Sequence, residues 1–200
     1  MENSCSRWNG KQAEPRPKTK QNKMETKTQN TTTTDARLYV GTYAKYNTGS
    51  ISGTWLALSD YADRDDFLTA AREVHADEAD PELMFQDFAG FPRAWYAESS
   101  APPAILWEWL ELHEAERLAF GAYADHMGGE VTVQDFRESW QGQWDRGADF
   151  AEHIAEECGG HHDLPTWLVI DWEASWKQNL RHDYFEADDA DGSNHIFRNT

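Results

Sequence analysis

The chain has 200 residues, enough for one ordinary domain or two to three very small ones, and its 10 Trp, 7 Tyr and 9 Phe can form an aromatic core. A formal net charge of −18 makes nucleic acid a poor direct ligand and fits a partner that is basic or that normally holds a polyanion. No apolar run approaches the roughly 18 residues of a membrane span, and Cys5 and Cys158 are too few for a disulfide framework, so we predict a soluble cytoplasmic protein with no membrane partner.

The first 34 residues differ from the rest of the chain in charge. They hold seven Lys and Arg against three acids, net +4, and Trp8 is their one aromatic residue. Such a segment cannot offset the entropy lost on ordering, so we predict a disordered basic tail over 1–34. The remaining 166 residues therefore carry −22, which is spread as −7 over 35–90, −5 over 91–130 and −10 over 131–200.

An α+β module is predicted over residues 35–92. The stretches RLYVGTY and GTWLALS are rich in strand formers, and the turn-forming residues that begin at Asn47 predict a hairpin between them. The stretch SDYADRDDFLTAAREVH predicts a helix with Ser59 or Asp60 as its N-cap. A short strand, LMFQDFA, then ends at Gly90 and Pro92.

Two further modules are predicted after it. From Pro102 the pattern PPAILWEWLELHEAERLAFGAYADHM predicts one long helix that ends at Gly128, in a helical middle module over 93–130. The third module, over 131–200, contains the predicted helices TVQDFRESW, DRGADFAEHIAEEC and LPTWLVIDWEASWKQNLRH. It ends in a hairpin around Asp191-Gly192. Together these elements predict an α+β fold built as an elongated chain of three small modules.

Candidate metal and catalytic motifs are incomplete. Aligning Gly192 with the sixth position of a calcium loop places Ala187 first and Arg198 twelfth, so two oxygen ligands are missing. A zinc site would have to come from His153, Cys158, His161 and His162, without a C-x-x-C or H-E-x-x-H spacing. Nucleophile-elbow and phosphate-loop motifs are absent too. We predict no enzyme, cofactor or metal site, and a metal-dependent hydrolase is the weakest alternative.

Acidic residues recur three to four residues apart on predicted helices. Examples are Glu108, Glu111 and Glu114, and then the series Asp145, Asp149, Glu152 and Glu156. Like charges at this spacing destabilise a helix by a few tenths of a kcal/mol per pair. Two explanations account for the repeated pattern: the solvation strategy of an acidic halophile-type binding protein, or carboxylates that take the place of phosphates.

Several ordered blocks between about Asp35 and Arg198 resemble the ArdA family of antirestriction proteins. They are RLYVGTYAKYNTGSISGTWLAL, DFRESWQGQWDRGADFAEHIAEECGG, LPTWLVIDWEASWKQNLRHDYF and the terminal HIFRN; residues 1–34 depart from the family pattern. The resemblance implies an acidic, three-domain homodimer that imitates bent B-form DNA and occupies the DNA groove of type I restriction-modification enzymes. It also implies carriage on plasmids, conjugative elements or phage in a bacterial host.

Under this interpretation the exposed carboxylates are the partner-binding groups. The candidates are Asp60, Asp63, Asp65, Asp66, Asp77, Glu78, Asp80, Glu82, Glu98, Glu108, Glu111, Glu114, Asp145, Asp149, Glu152, Glu156 and Glu157. The third module has more apolar surface than it can bury alone, which indicates a dimer interface. The candidates for this interface are Trp167, Leu168, Trp172 and Trp176.

Overall fold

The computed structural model describes residues 36–128, 130–159, 164–165 and 167–199. Within these ranges, seven α-helices and two three-stranded antiparallel sheets confirm the predicted α+β class. The described residues divide into two compact units, 36–133 and 134–199. The tail predicted over 1–34 lies outside the described residues, and the division into three modules stays a prediction.

The first unit is built on a sheet in the order β2-β1-β3, with β1 at Arg37–Thr42, β2 at Thr54–Ala57 and β3 at Leu83–Ala89. The antiparallel pairing of β1 with β2 confirms the predicted hairpin. Its connection contains a short helix that was not predicted, α1 at Tyr43–Asn47. The hydroxyl of Thr42 caps α1 by accepting a hydrogen bond from Lys45 N at 3.2 Å.

The helix α2 spans Arg64–Glu73 and packs on this sheet through Phe67, whose ring stacks on Phe85 with centroids 6.3 Å apart. The predicted N-cap, Ser59 or Asp60, is wrong, because both residues lie in a 3₁₀ turn that precedes the helix. Asp63 is the N-cap instead. Its carboxylate accepts hydrogen bonds from two consecutive backbone N–H groups, which fixes the start of the helix.

The single long helix predicted from Pro102 is two helices, α3 at Ile105–Leu110 and α4 at Glu114–Met127. The chain becomes extended at the residue before α4, which lets the two helices contribute to one aromatic cluster. In that cluster the rings of Trp109 and Phe120 both contact Trp95 edge to face, at 5.9 and 5.5 Å between centroids. Tertiary packing therefore overrides a pattern that is helical throughout.

The second unit is a sheet in the order β4-β6-β5, with β4 at Trp140–Gln143, β5 at Tyr184–Asp188 and β6 at Asn194–Arg198. The pairing of β5 with β6 confirms the predicted terminal hairpin. The strand β4 was not predicted, because its sequence WQGQ has no strand pattern and it forms by pairing with the distant β6.

Three helices complete this unit: α5 at Val133–Ser139, α6 at Gly147–Glu157 and α7 at Trp172–Gln178. The helix predicted from Leu164 onward is shorter than expected, because Asp171 caps α7 by accepting a hydrogen bond from Ala174 N at 2.9 Å. The helices α6 and α7 pack on one face of the sheet around Phe150, Ala151, Trp176 and Ile196.

Close packing of α6 against α7 leaves no room for a side chain at Gly147. A β-carbon there would overlap the ring of the buried Trp176. We expect Gly147→Ala to lower the free energy of unfolding by about 1–3 kcal/mol in urea denaturation, although alanine favours helix elsewhere. In the double variant Gly147→Ala with Trp176→Phe, the smaller ring relieves the clash. The loss of unfolding free energy in the double variant should therefore be smaller than the sum of the losses in the two single variants. Simple additivity would contradict this packing argument.

Candidate functional site

The helix α6 presents an acidic face to solvent. Asp149, Glu152 and Glu156 lie within about 60° of one another around the helix axis, opposite Ala151 and Ile154, which pack into the core. Glu152 and Glu156 are exposed, whereas Asp149 is half-buried and pairs with Arg146 at 2.9 Å. This hydrogen bond raises the pKa of the Arg146 guanidinium. The face combines regular carboxylate spacing with a rigid helical support.

In the first unit, part of the acidity begins at the N-terminus of α2. Asp63 is the N-cap, and Asp65 and Asp66 lie in the first turn, where the helix dipole favours negative charge. The carboxylate of Asp66 also accepts a hydrogen bond from the backbone N–H of Ala62 at 3.1 Å. These three acids are exposed, so they stabilise the helix and still present charge to solvent.

A second acidic segment of this unit, residues 77–82, connects α2 to β3. The ammonium of Lys45 lies 2.9 Å from an Asp77 oxygen and 3.7 Å from a Glu78 oxygen. The hydrogen bond from Lys45 lowers the pKa of Asp77. Asp77 and Glu78 lie more than thirty residues from Lys45 in the sequence, so no local sequence pattern indicates this contact.

The structure places almost all of the candidate carboxylates at the surface. Fifteen of the seventeen are exposed, and Glu78 and Asp149 are half-buried. The set does not form a single helical series, because Glu108 lies in α3, Glu111 follows it and Glu114 begins α4. The prediction that these three carboxylates repel one another along one continuous helix is therefore wrong. Glu114 is instead favoured by the dipole of α4.

Several arginines lie on aromatic rings. The guanidinium carbon of Arg37 is 4.9 Å from the ring centroid of Trp55. That of Arg93 is 4.8 Å from the centroid of Tyr96. Stacking of this kind stabilises by about 0.5–1 kcal/mol at exposed sites and directs the cation at a ring face.

The residues considered as metal ligands are separated or already engaged. Cys158 is exposed at the end of α6 rather than buried, and His153 packs on Trp144 with ring centroids 4.9 Å apart; His161 and His162 lie outside the described residues. Within the described part of the chain, no three His, Cys, Asp or Glu side chains come together as a possible metal site.

The acidic turn of the terminal hairpin is organised by Asp189, whose carboxylate is buried. It accepts hydrogen bonds from the backbone N–H groups of Asp191 and Ser193 and from Nε2 of His195, each at 2.9 Å. The indole of Trp140 points its N–H at Nδ1 of His195, 3.4 Å away, which places the ring proton on Nε2. In the calcium-loop alignment Asp189 would have to be a ligand, but its carboxylate is buried in the turn.

The proposed dimer candidates fall into two groups. Trp176 is 5% exposed in the core of the second unit, and Trp172 packs against the same core. Trp167 is 79% exposed and Leu168 is 45% exposed, and the adjacent Val169 is exposed as well. The exposed residues leave an apolar surface immediately before α7, which the sequence pattern alone did not separate from the core residues.

The structure thus shows an acidic protein with most of its candidate carboxylates exposed on helices and connecting segments. Its surface is the candidate functional site. The family model described as "Antirestriction protein (ArdA)" matches residues 38–190. The chain therefore belongs to the ArdA family of antirestriction proteins. A comparison with curated proteins gave no match. None of the helices in the described ranges has the length and apolarity of a membrane span.

The buried turn gives a prediction about pH. Burial by itself raises the pKa of Asp189, but the hydrogen bonds from His195, Ser193 and Asp191 outweigh it and lower the pKa below its ordinary value. The carboxylate therefore stabilises the fold above its unfolded pKa of about 3.9 and loses this effect as pH falls through its lower folded pKa. We expect Asp189→Asn to lower the free energy of unfolding at pH 7 by about 1–3 kcal/mol.

The difference in unfolding free energy between wild type and Asp189→Asn should shrink below about pH 4, in denaturation curves recorded from pH 7 to pH 2. Asp188→Asn, in the same hairpin, is the matched control because its side chain is exposed. It should change stability little at pH 7. A difference for Asp189→Asn that stays constant down to pH 2 would show that charge at this position does not stabilise the turn.

Proposed function

We propose that this protein is a DNA mimic that occupies the DNA-binding groove of type I restriction-modification enzymes, and so blocks restriction, and modification with it, of incoming DNA. In this proposal the protein acts in the cytoplasm of a bacterial host, carried there by a plasmid or another mobile element. It needs no catalytic residue and no cofactor. Its partner-binding groups are carboxylates, which oppose the Lys and Arg side chains that hold DNA phosphates.

The acidic face of α6 is the observation that carries the proposal. Asp149, Glu152 and Glu156 recur along one side of a helix whose other side is fixed in a packed core. Because the backbone is rigid there, the carboxylates have a defined spacing, as phosphates have along a duplex. Arg146 pairs with Asp149 at the start of this face, at 2.9 Å.

The amount of charge agrees with an imitation of DNA. A duplex carries one charge per about 1.7 Å of its axis. A dimer of residues 35–200 would have about 44 excess negative charges, which correspond to roughly 75 Å of duplex on the same scale. This length is of the order that a large DNA-binding enzyme covers. A single chain would supply half of it, which is a reason to expect a dimer.

The exposed apolar residues before α7 support a dimer as well. Trp167, Leu168 and Val169 expose large apolar side chains next to one another. Apolar clusters of this kind mark interaction sites in soluble proteins. We therefore assign the proposed dimer contact to this segment, with Trp172 and Trp176 supporting it from the core.

Neutralising the acidic face tests the mimic. Each exposed carboxylate contributes about 0.5–1 kcal/mol to such a complex, so Glu152→Gln alone should weaken inhibition of a type I enzyme by about two- to fivefold. Amide replacement of five candidates together should weaken it by about a hundredfold or more. These five are Asp145, Asp149, Glu152, Glu156 and Glu157. The slope of affinity against salt should become shallower in the same series.

The matched control changes the net charge by the same amount at five other exposed acids of this unit, which are Glu138, Asp183, Glu186, Asp188 and Asp191. It should retain more inhibition than the α6 variant, with circular dichroism confirming both folds. Equal losses in the two variants would favour a halophile-type surface, in which acids act by solvation. Complete loss from Glu152→Gln alone in a folded protein would indicate a conventional active site.

The dimer is tested by mass. Light scattering at micromolar concentration should give twice the chain mass of 23.0 kDa for the wild type. Trp167→Ser with Leu168→Ser should give a monomer and weaken inhibition, since the variant presents half of the charged length. Val74→Ser removes an exposed apolar residue of the first unit and should leave the mass unchanged. A wild-type chain that inhibits as a monomer would contradict the dimer.

A further inference from the structure

Lys45 is fixed by partners on several sides. Its ammonium lies 3.0 Å from Nδ1 of His75, in addition to its contacts with Asp77 and Glu78. The ring of His75 is buried and its Nε2 lies 3.2 Å from the carbonyl oxygen of Val40, so Nε2 donates to β1 and Nδ1 accepts from Lys45. The lysine therefore joins α1 to the segment that follows α2 through a buried group.

Additional hydrogen bonds hold the same segment against the end of β1. The hydroxyl of Thr42 donates to a Glu78 oxygen at 2.6 Å, and the backbone N–H of Tyr43 donates to the carbonyl oxygen of Glu82 at 3.0 Å. The segment is thus attached near its start and at its end. Pro81 restricts the residue before it to extended conformations, which stiffens the middle.

Despite these attachments, the segment keeps most of its charge at the surface. It has four acids in six residues, Asp77, Glu78, Asp80 and Glu82, of which only Glu78 is half-buried. Repulsion among four like charges would spread a free segment over many conformations. One cation placed between the first two acids reduces this repulsion and leaves the other carboxylates directed to solvent.

We propose that Lys45 is a positioning residue for inhibition: it holds residues 77–82 in one conformation, so that Asp77, Asp80 and Glu82 meet the cationic groove of the restriction enzyme at fixed positions. This inference rests on the proposed function. Its physical basis is preorganisation, because a segment that is ordered before binding loses less conformational entropy on binding. The cation acts through the acids and does not itself contact the partner.

Net charge alone and loss of positioning predict opposite effects of Lys45→Met on inhibition. Lys45→Met removes a positive charge and makes the chain a stronger polyanion, which by charge alone would tighten binding to a basic groove. Loss of positioning should instead weaken inhibition of a type I enzyme by about three- to tenfold. Hydrogen exchange of the backbone amides of residues 77–82 should become faster in the same variant.

Lys177→Met is the matched control. Lys177 is exposed and pairs with Glu173 one turn away on α7, so its loss changes net charge equally without releasing a connecting segment. This variant should inhibit as well as the wild type or slightly better. Lys45→Arg should retain inhibition, since a guanidinium keeps the charge and reaches both carboxylates. Lys45→Gln keeps a donor for His75 and tests the charge if Lys45→Met does not fold.

The outcomes separate the two proposals. A wild-type chain that does not inhibit type I enzymes overturns the proposed function itself. If the wild type inhibits and Lys45→Met or Lys45→Gln inhibits as well as Lys177→Met, the positioning role is overturned. Unfolding of both Lys45 variants, seen by circular dichroism, also overturns it, because Lys45 would then be needed for the fold. Weaker inhibition by a folded Lys45 variant, with faster exchange in 77–82, supports it.

Discussion

Mutual repulsion between carboxylates is the constraint that the rest of this structure accommodates. Residues 35–200 hold 33 acids and 11 Lys and Arg, so there are three times as many carboxylates as Lys and Arg side chains. Placement at helix N-termini reduces the repulsion at Asp63, Asp65 and Asp66, where backbone N–H groups and the helix dipole supply the compensating field. Negative charge thereby contributes to local structure and remains available at the surface.

Several of the scarce cations have partners that stabilise the fold. Arg37, Arg93 and Arg117 stack on aromatic rings, Lys45 joins two segments of the first unit, and Arg146 pairs at the start of α6. Isolated surface ion pairs stabilise by about 0–1 kcal/mol, so pairing every acid would contribute little. Cations that stack on rings or link segments therefore contribute to the fold as well as to the charge balance.

Aromatic packing provides the stability that such a charged surface requires. In the first unit the rings of Trp95, Trp109 and Phe120 join α3 and α4, and in the second Phe150 packs on Trp176 and Tyr184. Large rings bury much apolar area per residue, so each small unit can form a core. The same rings supply the faces on which arginines stack, which connects the core to the charge distribution.

The sequence by itself determined the α+β class, both hairpins, the helices α2 and α6 and the family, since strand formers, turn residues and helical spacing act over short distances. It also identified the acids, of which fifteen of seventeen are exposed. Only the tertiary structure decided that one helical pattern becomes α3 and α4, that WQGQ becomes β4, and that Trp176 is buried while Trp167 is exposed. The contacts of Lys45 with Asp77 and of Asp189 with His195 were equally decided there. These features depend on contacts between residues distant in sequence or on the conformation of a turn, and neither is encoded in a local pattern.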